Sequence, residues 1–142
     1  MHPGPLVLYV PIESLIHTPC PDGRDGQSLL LWSREKKPDN WRTELAVETQ
    51  VGFGPRGPGG DLVGRVLMDE RYKYICYNRG KYREQLFDLQ EDPGEMVNLA
   101  VESQHAELLQ KCRDRLETWC NHVGDKRFSH DIPGVHDRLM GF

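Results

Sequence analysis

Four cysteines, Cys20, Cys76, Cys112 and Cys120, are the candidate nucleophiles of this 142-residue chain. No two of them form a C-x-x-C pair, so nothing indicates a zinc ribbon or a dithiol redox site. Cys112 and Cys120 fall on one predicted helix, where a rise of 1.5 Å per residue puts them about 12 Å apart, too far for a disulfide. We therefore expect buried thiols that serve packing.

A glycine-rich stretch, Gly52–Gly57, has the spacing G-x-G-x-x-G. This spacing binds a dinucleotide only where a helix begins within it and its N-terminus meets the pyrophosphate. Pro55 and Pro58 disfavour such a helix. We predict instead a flexible loop over residues 52–61, in which Arg56 is a candidate substrate-binding residue because a guanidinium pairs well with an anionic group.

Histidines and aspartates near the C-terminus are the candidate metal ligands. His130-Asp131 and His136-Asp137 flank a turn, and His122 lies upstream. Two imidazoles with two carboxylates are suitable zinc ligands. No predicted helix or strand holds them at a fixed spacing, however, so we predict a solvated tail and no metal ligands in this chain.

An aromatic and basic stretch, Tyr72, Lys73, Tyr74 and Tyr77, resembles the strands on which bases of single-stranded nucleic acid stack. The chain has 22 acidic and 18 basic residues, so its net charge of −4 argues against a nucleic-acid partner. We expect these tyrosines to pack one face of a sheet under a helix. Ser-His-Asp, H-E-x-x-H, Walker and EF-hand patterns are absent, so no catalytic residue is predicted.

Four predicted strands position these residues. Apolar, aromatic and β-branched residues bounded by turn-forming residues favour strands over residues 44–51, 62–69, 72–77 and 84–89, with loose alternation in the first. In the first strand one face carries Leu45, Val47, Thr49 and Val51. Connections as short as the Asn78-Arg79-Gly80 turn require antiparallel neighbours.

A single long helix follows, with Ser103 as a candidate N-cap and Gly124 as its end. Its apolar stripe has spacings of three and four residues and consists of Leu109, Cys112, Leu116, Trp119 and Val123. The sheet is the only partner for this stripe, so we expect the helix to pack across it. Between them, Asp92-Pro-Gly-Glu95 predicts a tight turn with a positive φ at Gly94.

The predicted fold class is α+β: an antiparallel sheet of about four strands with one long C-terminal helix across it. Residues 1–40 are predicted to be an irregular remnant of a preceding region, 41–124 the α+β domain and 125–142 a loose tail. No apolar run approaches the roughly 20 residues that span a bilayer. Residues 5–11 are too short and lack the basic start of a signal peptide, so no localisation is predicted.

An ordered series of motifs resembles the C-terminal part of a sulfatase of the sulfamidase-like kind. The family's D-G-R-S-L-L is similar to Asp25–Leu30, and its V-R-T-D-R-Y-K-Y-I is similar to Val66–Ile75. Its E-L-Y-D-L, D-P-G-E and N-L-A are similar to Gln85–Leu89, Asp92–Glu95 and Asn98–Ala100. The chain departs from the family at Leu31, where a proline is usual, and at Glu70, which is an extra residue; residues 1–24 do not align.

The resemblance implies a small subdomain that packs on a large α/β domain carrying the active site. In that family the nucleophile is a cysteine of C-x-P-S-R, converted to formylglycine, and Asp and Asn side chains hold a calcium ion. Cys20-Pro-Asp-Gly-Arg24 departs from this motif, because proline stands one place early and serine is absent. We therefore expect no catalytic residue, metal ligand or cofactor in this chain.

The function that the resemblance implies is that of a sulfatase C-terminal portion, inactive alone, whose parent hydrolyses sulfate esters or N-sulfates on glycans. The expected partner is the missing large domain, and Arg56 would line the pocket of the parent enzyme. The alternative is a non-catalytic interaction module that docks on another protein. A sheet face left without its large domain would expose an apolar patch, which also favours self-association.

Overall fold

A computed structural model describes residues 41–51 and 62–134 of the chain. The chain divides into two units, Met1–Thr43 and Glu44–Phe142. The sheet and helices described below belong to the second unit. The predicted irregular region at 1–40, the loop at 52–61 and residues 135–142 lie outside the described residues.

Four antiparallel strands form the sheet of the described region, in the order in which they occur in the chain. They are β1 (Leu45–Val51), β2 (Leu62–Met68), β3 (Tyr72–Tyr77) and β4 (Glu84–Asp88). The predicted strands agree with these bounds to within one residue at each end. The antiparallel sheet predicted from the short connections is confirmed.

A row of buried side chains crosses the middle of the sheet. Ala46 lies opposite Leu67, which lies opposite Tyr74, which lies opposite Leu86. These four residues belong to the core, and Tyr74 and Leu86 are 1% and 0% exposed. On β1 the core residue is therefore Ala46, whereas Val47 on the other face stays 38% exposed. Alternation alone could not indicate this face, because Leu45, Val47 and Thr49 carry the larger side chains.

Helix α1 (Ala106–Val123) packs on this face of the sheet. Four residues of the predicted stripe are buried, and Cys120 is buried beside them, whereas Val123 is only partly buried. The buried residues are Leu109, Cys112, Leu116, Trp119 and Cys120. Gly124 ends the helix in the left-handed region at φ 78°, as predicted. The long helix packed against the sheet is thus confirmed.

The entry to α1 differs from the prediction. Two short 3₁₀ helices, Leu99–Val101 and Ser103–His105, precede it, and Ser103 is not its N-cap. Helical backbone begins instead after Asn98, whose side-chain oxygen accepts hydrogen bonds from the N–H groups of Ala100 (3.0 Å) and Leu86 (2.9 Å). Its amide nitrogen donates to the carbonyl of Glu84 (3.2 Å), so Asn98 joins the helical entry to β4.

The Asp92–Glu95 turn forms as predicted, but its positive φ is elsewhere. The N–H of Glu95 donates to the carbonyl of Asp92 over 3.0 Å. Gly94 does not have a positive φ, and the left-handed conformation falls on Glu95 at φ 54°. A type I turn needs no positive φ at its third position, which explains the error. An ion pair of 2.6 Å between the Lys73 Nζ and the Glu95 carboxylate accompanies this conformation.

The loose tail predicted from residue 125 is wrong for residues 125–134. A short helix, α2 (Lys126–Ser129), follows α1, and the side chain of Asp125 accepts a hydrogen bond from the N–H of Phe128. Phe128 and Ile132 are 2% and 1% exposed and belong to the same core as α1. Two apolar residues one helical turn apart are too short a pattern to separate from a tail by periodicity.

Candidate functional site

The candidate residues for binding and catalysis are only partly within the described structure. Arg56, the predicted substrate-binding residue, lies outside the described residues, as do Cys20 and the His136-Asp137 pair. His122 and His130 are exposed. Across residues 41–51 and 62–134, no group of three or more His, Cys, Asp or Glu side chains is arranged to hold a metal ion.

The tyrosines of β3 lie on two faces of the sheet rather than on one. Tyr74 is in the core under α1 and Tyr72 packs against it. Tyr77 lies on the other face, where its ring crosses Gly64 of β2. A Cβ atom at Gly64 would be 2.8 Å from the Tyr77 ring and 2.7 Å from the Thr49 hydroxyl oxygen. The prediction of one shared face is therefore wrong, since residues 74 and 77 are an odd number apart.

Glu84 at the start of β4 is held from two sides. Its carboxylate accepts hydrogen bonds from Arg113 Nε (2.8 Å) and Nη2 (2.6 Å) of α1. It also accepts one from the Tyr74 hydroxyl (2.6 Å), a group whose pKa is raised by burial. A bidentate guanidinium contact is among the stronger polar contacts in proteins. Glu84 thereby fixes α1 to β3 and β4.

A second arginine of α1 contacts the opposite edge of the sheet. Arg115 pairs with Glu44, which precedes β1, and its Nη1 is 2.9 Å from Asp69 after β2. Burial acts to raise the pKa of Asp69, but hydrogen bonds from the N–H groups of Tyr72 and Arg71, together with Arg115, outweigh it and lower the pKa. Asp69 is thus an ionised anchor for the β2–β3 turn.

Arg65 of β2 holds α2 and explains why the chain beyond α1 is ordered. It is 8% exposed, and its Nε and Nη2 donate to the Asp125 carboxylate over 2.9 and 2.6 Å. Its guanidinium carbon lies 4.7 Å from the centroid of the Phe128 ring. Stacking of a guanidinium on an aromatic ring adds to the ion pair. Charge pairing and packing therefore fix α2 at the same place.

The described cysteines are unsuited to catalysis. Cys76, Cys112 and Cys120 are free and 0–2% exposed. Burial raises the pKa of Cys76 and Cys112 to about 11 and that of Cys120 to about 12. Since the thiolate is the nucleophile, these thiols are unreactive at neutral pH. The expectation of buried thiols is confirmed for these three.

One surface feature escaped the sequence-based prediction. The turn between β3 and β4 exposes Arg79, Gly80, Lys81 and Tyr82 in succession, and Tyr82 is 66% exposed. The Lys81 Nζ lies 5.2 Å from the centroid of the Tyr82 ring. Three basic residues and no acidic one within six positions were a visible signal. We define residues 78–83 as the hairpin tip.

The described residues build a scaffold in which charged side chains join the helices to the sheet. The carboxylates that meet α1 and α2 are engaged by arginines, and the thiols are buried and protonated. No helix in this part of the chain is long and apolar enough to cross a membrane.

Comparison with known proteins identifies this scaffold. Residues 12–122 match the family described as N-sulphoglucosamine sulphohydrolase, C-terminal. The multifunctional alkaline phosphatase superfamily protein PehA of Trinickia caryophylli is 31% identical in an alignment of 118 positions that covers 78% of this chain and 23% of that protein. The Delta 4,5-hexuronate-2-O-sulfatase of Bacteroides thetaiotaomicron is 36% identical over 62 residues, which are 44% of this chain and 13% of that protein.

A solved structure agrees with these relatives. A 2-O GAG sulfatase shares the fold with a TM-score of 0.69 and 26% identity, over 83% of this chain and 24% of that one. This chain thus spans less than a quarter of the length of the curated relatives that it matches. The resemblance that the ordered motifs indicated is confirmed, and the chain belongs to the family of N-sulphoglucosamine sulphohydrolase C-terminal domains.

Proposed function

We propose that this chain is the C-terminal portion of a hydrolase that removes sulfate from sugars, as an ester or an N-sulfate. The observation that carries the proposal is the family match over residues 12–122. Two relatives support the substrate class, since one is described as a hexuronate 2-O-sulfatase and another as a GAG sulfatase. The shared scaffold supports the same placement relative to a large domain in this protein.

We further propose that the chain is inactive without that large domain. The nucleophile and the calcium ion that the family implies would both belong to the large domain. Among residues 41–51 and 62–134, no three or more His, Cys, Asp or Glu side chains are grouped to hold such an ion. The role of this chain would be to complete and stabilise the large domain rather than to react with sulfate.

A chimera tests both parts of the proposal. The large domain of a 2-O GAG sulfatase, cut where its match to this chain begins, is produced alone and fused to this chain. We expect hydrolysis of an aryl sulfate by the fusion and by neither part alone, with calcium present in every assay. Circular dichroism and a cooperative thermal transition establish that each protein is folded.

Two outcomes would contradict the proposal. A folded fusion without turnover would show that this chain does not replace the C-terminal part of a sulfatase. Turnover by this chain alone would show that it contains a reaction centre. In that case the Cys20→Ala variant identifies the nucleophile: lost turnover would assign Cys20, and retained turnover would assign another residue.

Within this proposal, Arg56 would contact the sulfate of the substrate. The support is chemical: a guanidinium forms paired hydrogen bonds with oxyanions, and the residue lies in a glycine-rich stretch between β1 and β2. In an active fusion we expect Arg56→Ala to lower kcat/KM by about 10-fold or more, as for a lost charged hydrogen bond. Unchanged kcat/KM, compared with a Lys126→Ala control on the exposed side of α2, would reject this role.

A second candidate function is that of an interaction module that docks on another protein. Met96, Val97 and Val101 favour it, since they are 83%, 50% and 66% exposed and close in sequence. Exposed apolar groups near one another mark docking surfaces in many proteins. Size-exclusion chromatography with light scattering tests this function: a monomer whose elution and stability do not change in a Met96→Ser/Val101→Ser variant would count against it.

A further inference from the structure

The hairpin tip, residues 78–83, combines exposure with a rigid base. The N–H of Tyr77 donates to the carbonyl of Arg83 over 2.8 Å, which closes the hairpin below the tip. The N–H of Val63 on β2 donates to the side-chain oxygen of Asn78 over 3.1 Å, and the N–H of Asn78 donates back to the Val63 carbonyl over 2.9 Å. Gly80, at φ 119°, reverses the chain. These hydrogen bonds therefore fix the base of the tip to the sheet.

The tip is a local concentration of positive charge in an acidic chain. Arg79, Lys81 and Arg83 lie within five positions, no acidic residue occurs between 78 and 83, and the net charge of the chain is −4. The adjacent carboxylate, Glu84, is bound by Arg113 of α1 through two hydrogen bonds of 2.8 and 2.6 Å. Glu84 is therefore engaged by α1 rather than by the basic side chains of the tip.

An aromatic ring lies within this basic group. Tyr82 is 66% exposed, and the ammonium group of Lys81 is 5.2 Å from its ring centroid. One face of the ring is thus beside a cation, and much of the ring remains in contact with water. A ligand that packs on this exposed ring would remove apolar surface from water, so Tyr82 can contribute to binding.

We propose that the hairpin tip binds a sulfated saccharide. Sulfate groups accept charge-assisted hydrogen bonds from guanidinium and ammonium donors, which Arg79 and Lys81 supply. The apolar face of a sugar ring packs on an aromatic ring, which Tyr82 supplies. A single aromatic residue is too small a platform for the successive bases of a nucleic acid. Tyr82 is also the only apolar residue of the tip, which is too little to insert in a membrane.

The choice of a sulfated saccharide rests on the proposed function, whereas the binding site itself rests on the tip's charge and exposure. The tip would hold a second part of the same glycan chain while the parent enzyme acts on it. Binding and turnover are separate measurements, so each idea is tested by itself: the fusion assay tests sulfatase activity, and a binding assay on this chain tests the tip.

Isothermal titration of this chain with a heparin-derived hexasaccharide and its desulfated counterpart tests the site. We expect binding of the sulfated form alone, with affinity that falls from about 0.05 to 0.3 M NaCl because the contacts are exposed charges. The Arg79→Gln/Lys81→Gln variant should bind about 2- to 30-fold more weakly, as expected for two exposed ion pairs. Tyr82→Ser should bind more weakly as well, and Tyr82→Phe should bind normally.

The matched control is Lys126→Gln/Arg127→Gln, which removes one lysine and one arginine from the exposed side of α2. It should bind as the unmodified chain does, and all variants should keep their thermal transition. Equal weakening by both double variants would overturn the proposal, since net charge alone would then explain binding. Binding to single-stranded DNA or to phosphatidylserine vesicles that is tighter than binding to the hexasaccharide would also overturn the proposal. The same holds if the chain does not bind the hexasaccharide. An inactive fusion together with tip-dependent binding would reject the proposed function and leave the site standing.

Discussion

Removal of the Phe128 ring tests most directly whether the chain beyond α1 belongs to the fold. The ring is 2% exposed in the core shared by sheet and helix, and Arg65 stacks on it at 4.7 Å. Truncation of a buried phenylalanine to alanine costs about 3–5 kcal/mol. Since Phe128→Ala also removes the stacking partner of a buried arginine, we expect a loss of free energy of unfolding in the upper half of that range.

Urea unfolding, followed by fluorescence and by circular dichroism, measures this loss. Trp119 lies in the same core and reports on its unfolding. Tyr82→Ala is the matched control, because it removes an aromatic ring that is 66% exposed and should change stability by no more than about 0.5 kcal/mol.

A domain of this size is marginally stable, so Phe128→Ala could unfold it completely. Phe128→Leu keeps most of the apolar volume and should cost less than about 1.5 kcal/mol, which leaves a measurable transition. The reasoning is refuted if Phe128→Ala is no more destabilising than Tyr82→Ala. That result would show that residues 125–134 form the loose tail predicted from the sequence.

Two further predictions concern the other sheet face and the thiols. Gly64→Ala should lower the free energy of unfolding by about 1–3 kcal/mol, because the added Cβ meets the Tyr77 ring at 2.8 Å. In the double variant with Tyr77→Ser, part of this loss should be recovered. If the effects of the two substitutions on stability simply add, the contact is contradicted. The three described thiols should resist a disulfide reagent at about pH 8 until the chain is unfolded. The pKa values of these thiols are about 11 to 12 in the folded chain and about 8.5 in the unfolded chain. Their burial therefore contributes its full share of the free energy of unfolding below about pH 8.5, and this share declines as the pH rises towards 11. A free energy of unfolding that stays constant over that interval would contradict their burial.

Local patterns predicted the strands and the long helix because both depend on residues near one another in sequence. The aromatic and β-branched residues of β3 and the three-four spacing from Leu109 to Trp119 each predict one element without knowledge of the rest. The ordered motifs then indicated the family. The choice of Ala46 over Val47 for the core is different, because both faces of β1 have apolar residues and only the position of α1 decides between them.

Long-range ion pairs could not be predicted in this way. Arg115 and Glu44 are 71 residues apart, and Arg65 and Asp125 are 60 apart. Any of the 18 basic residues could have met any of the 22 acidic ones. The structure of the chain after Gly124 depends on the pair between Arg65 and Asp125, which local patterns do not indicate. For this reason the prediction of a loose tail is wrong there. In contrast, the sequence Arg79-Gly-Lys-Tyr-Arg83 shows the basic and aromatic character of the hairpin tip directly.

The contacts of Asn98 have a consequence for self-assembly. An outer strand with free N–H and C=O groups is a template on which a strand of another molecule can add, the first step towards a swapped dimer or a fibril. On β4 the outward N–H of Leu86 and the outward carbonyl of Glu84 are both taken by the amide of Asn98. One side chain thus occupies the place of a fifth strand. A strand of another molecule could pair with β4 only after Asn98 releases these two groups. The residue at which the helical backbone begins therefore also protects the β4 edge of the sheet from intermolecular pairing.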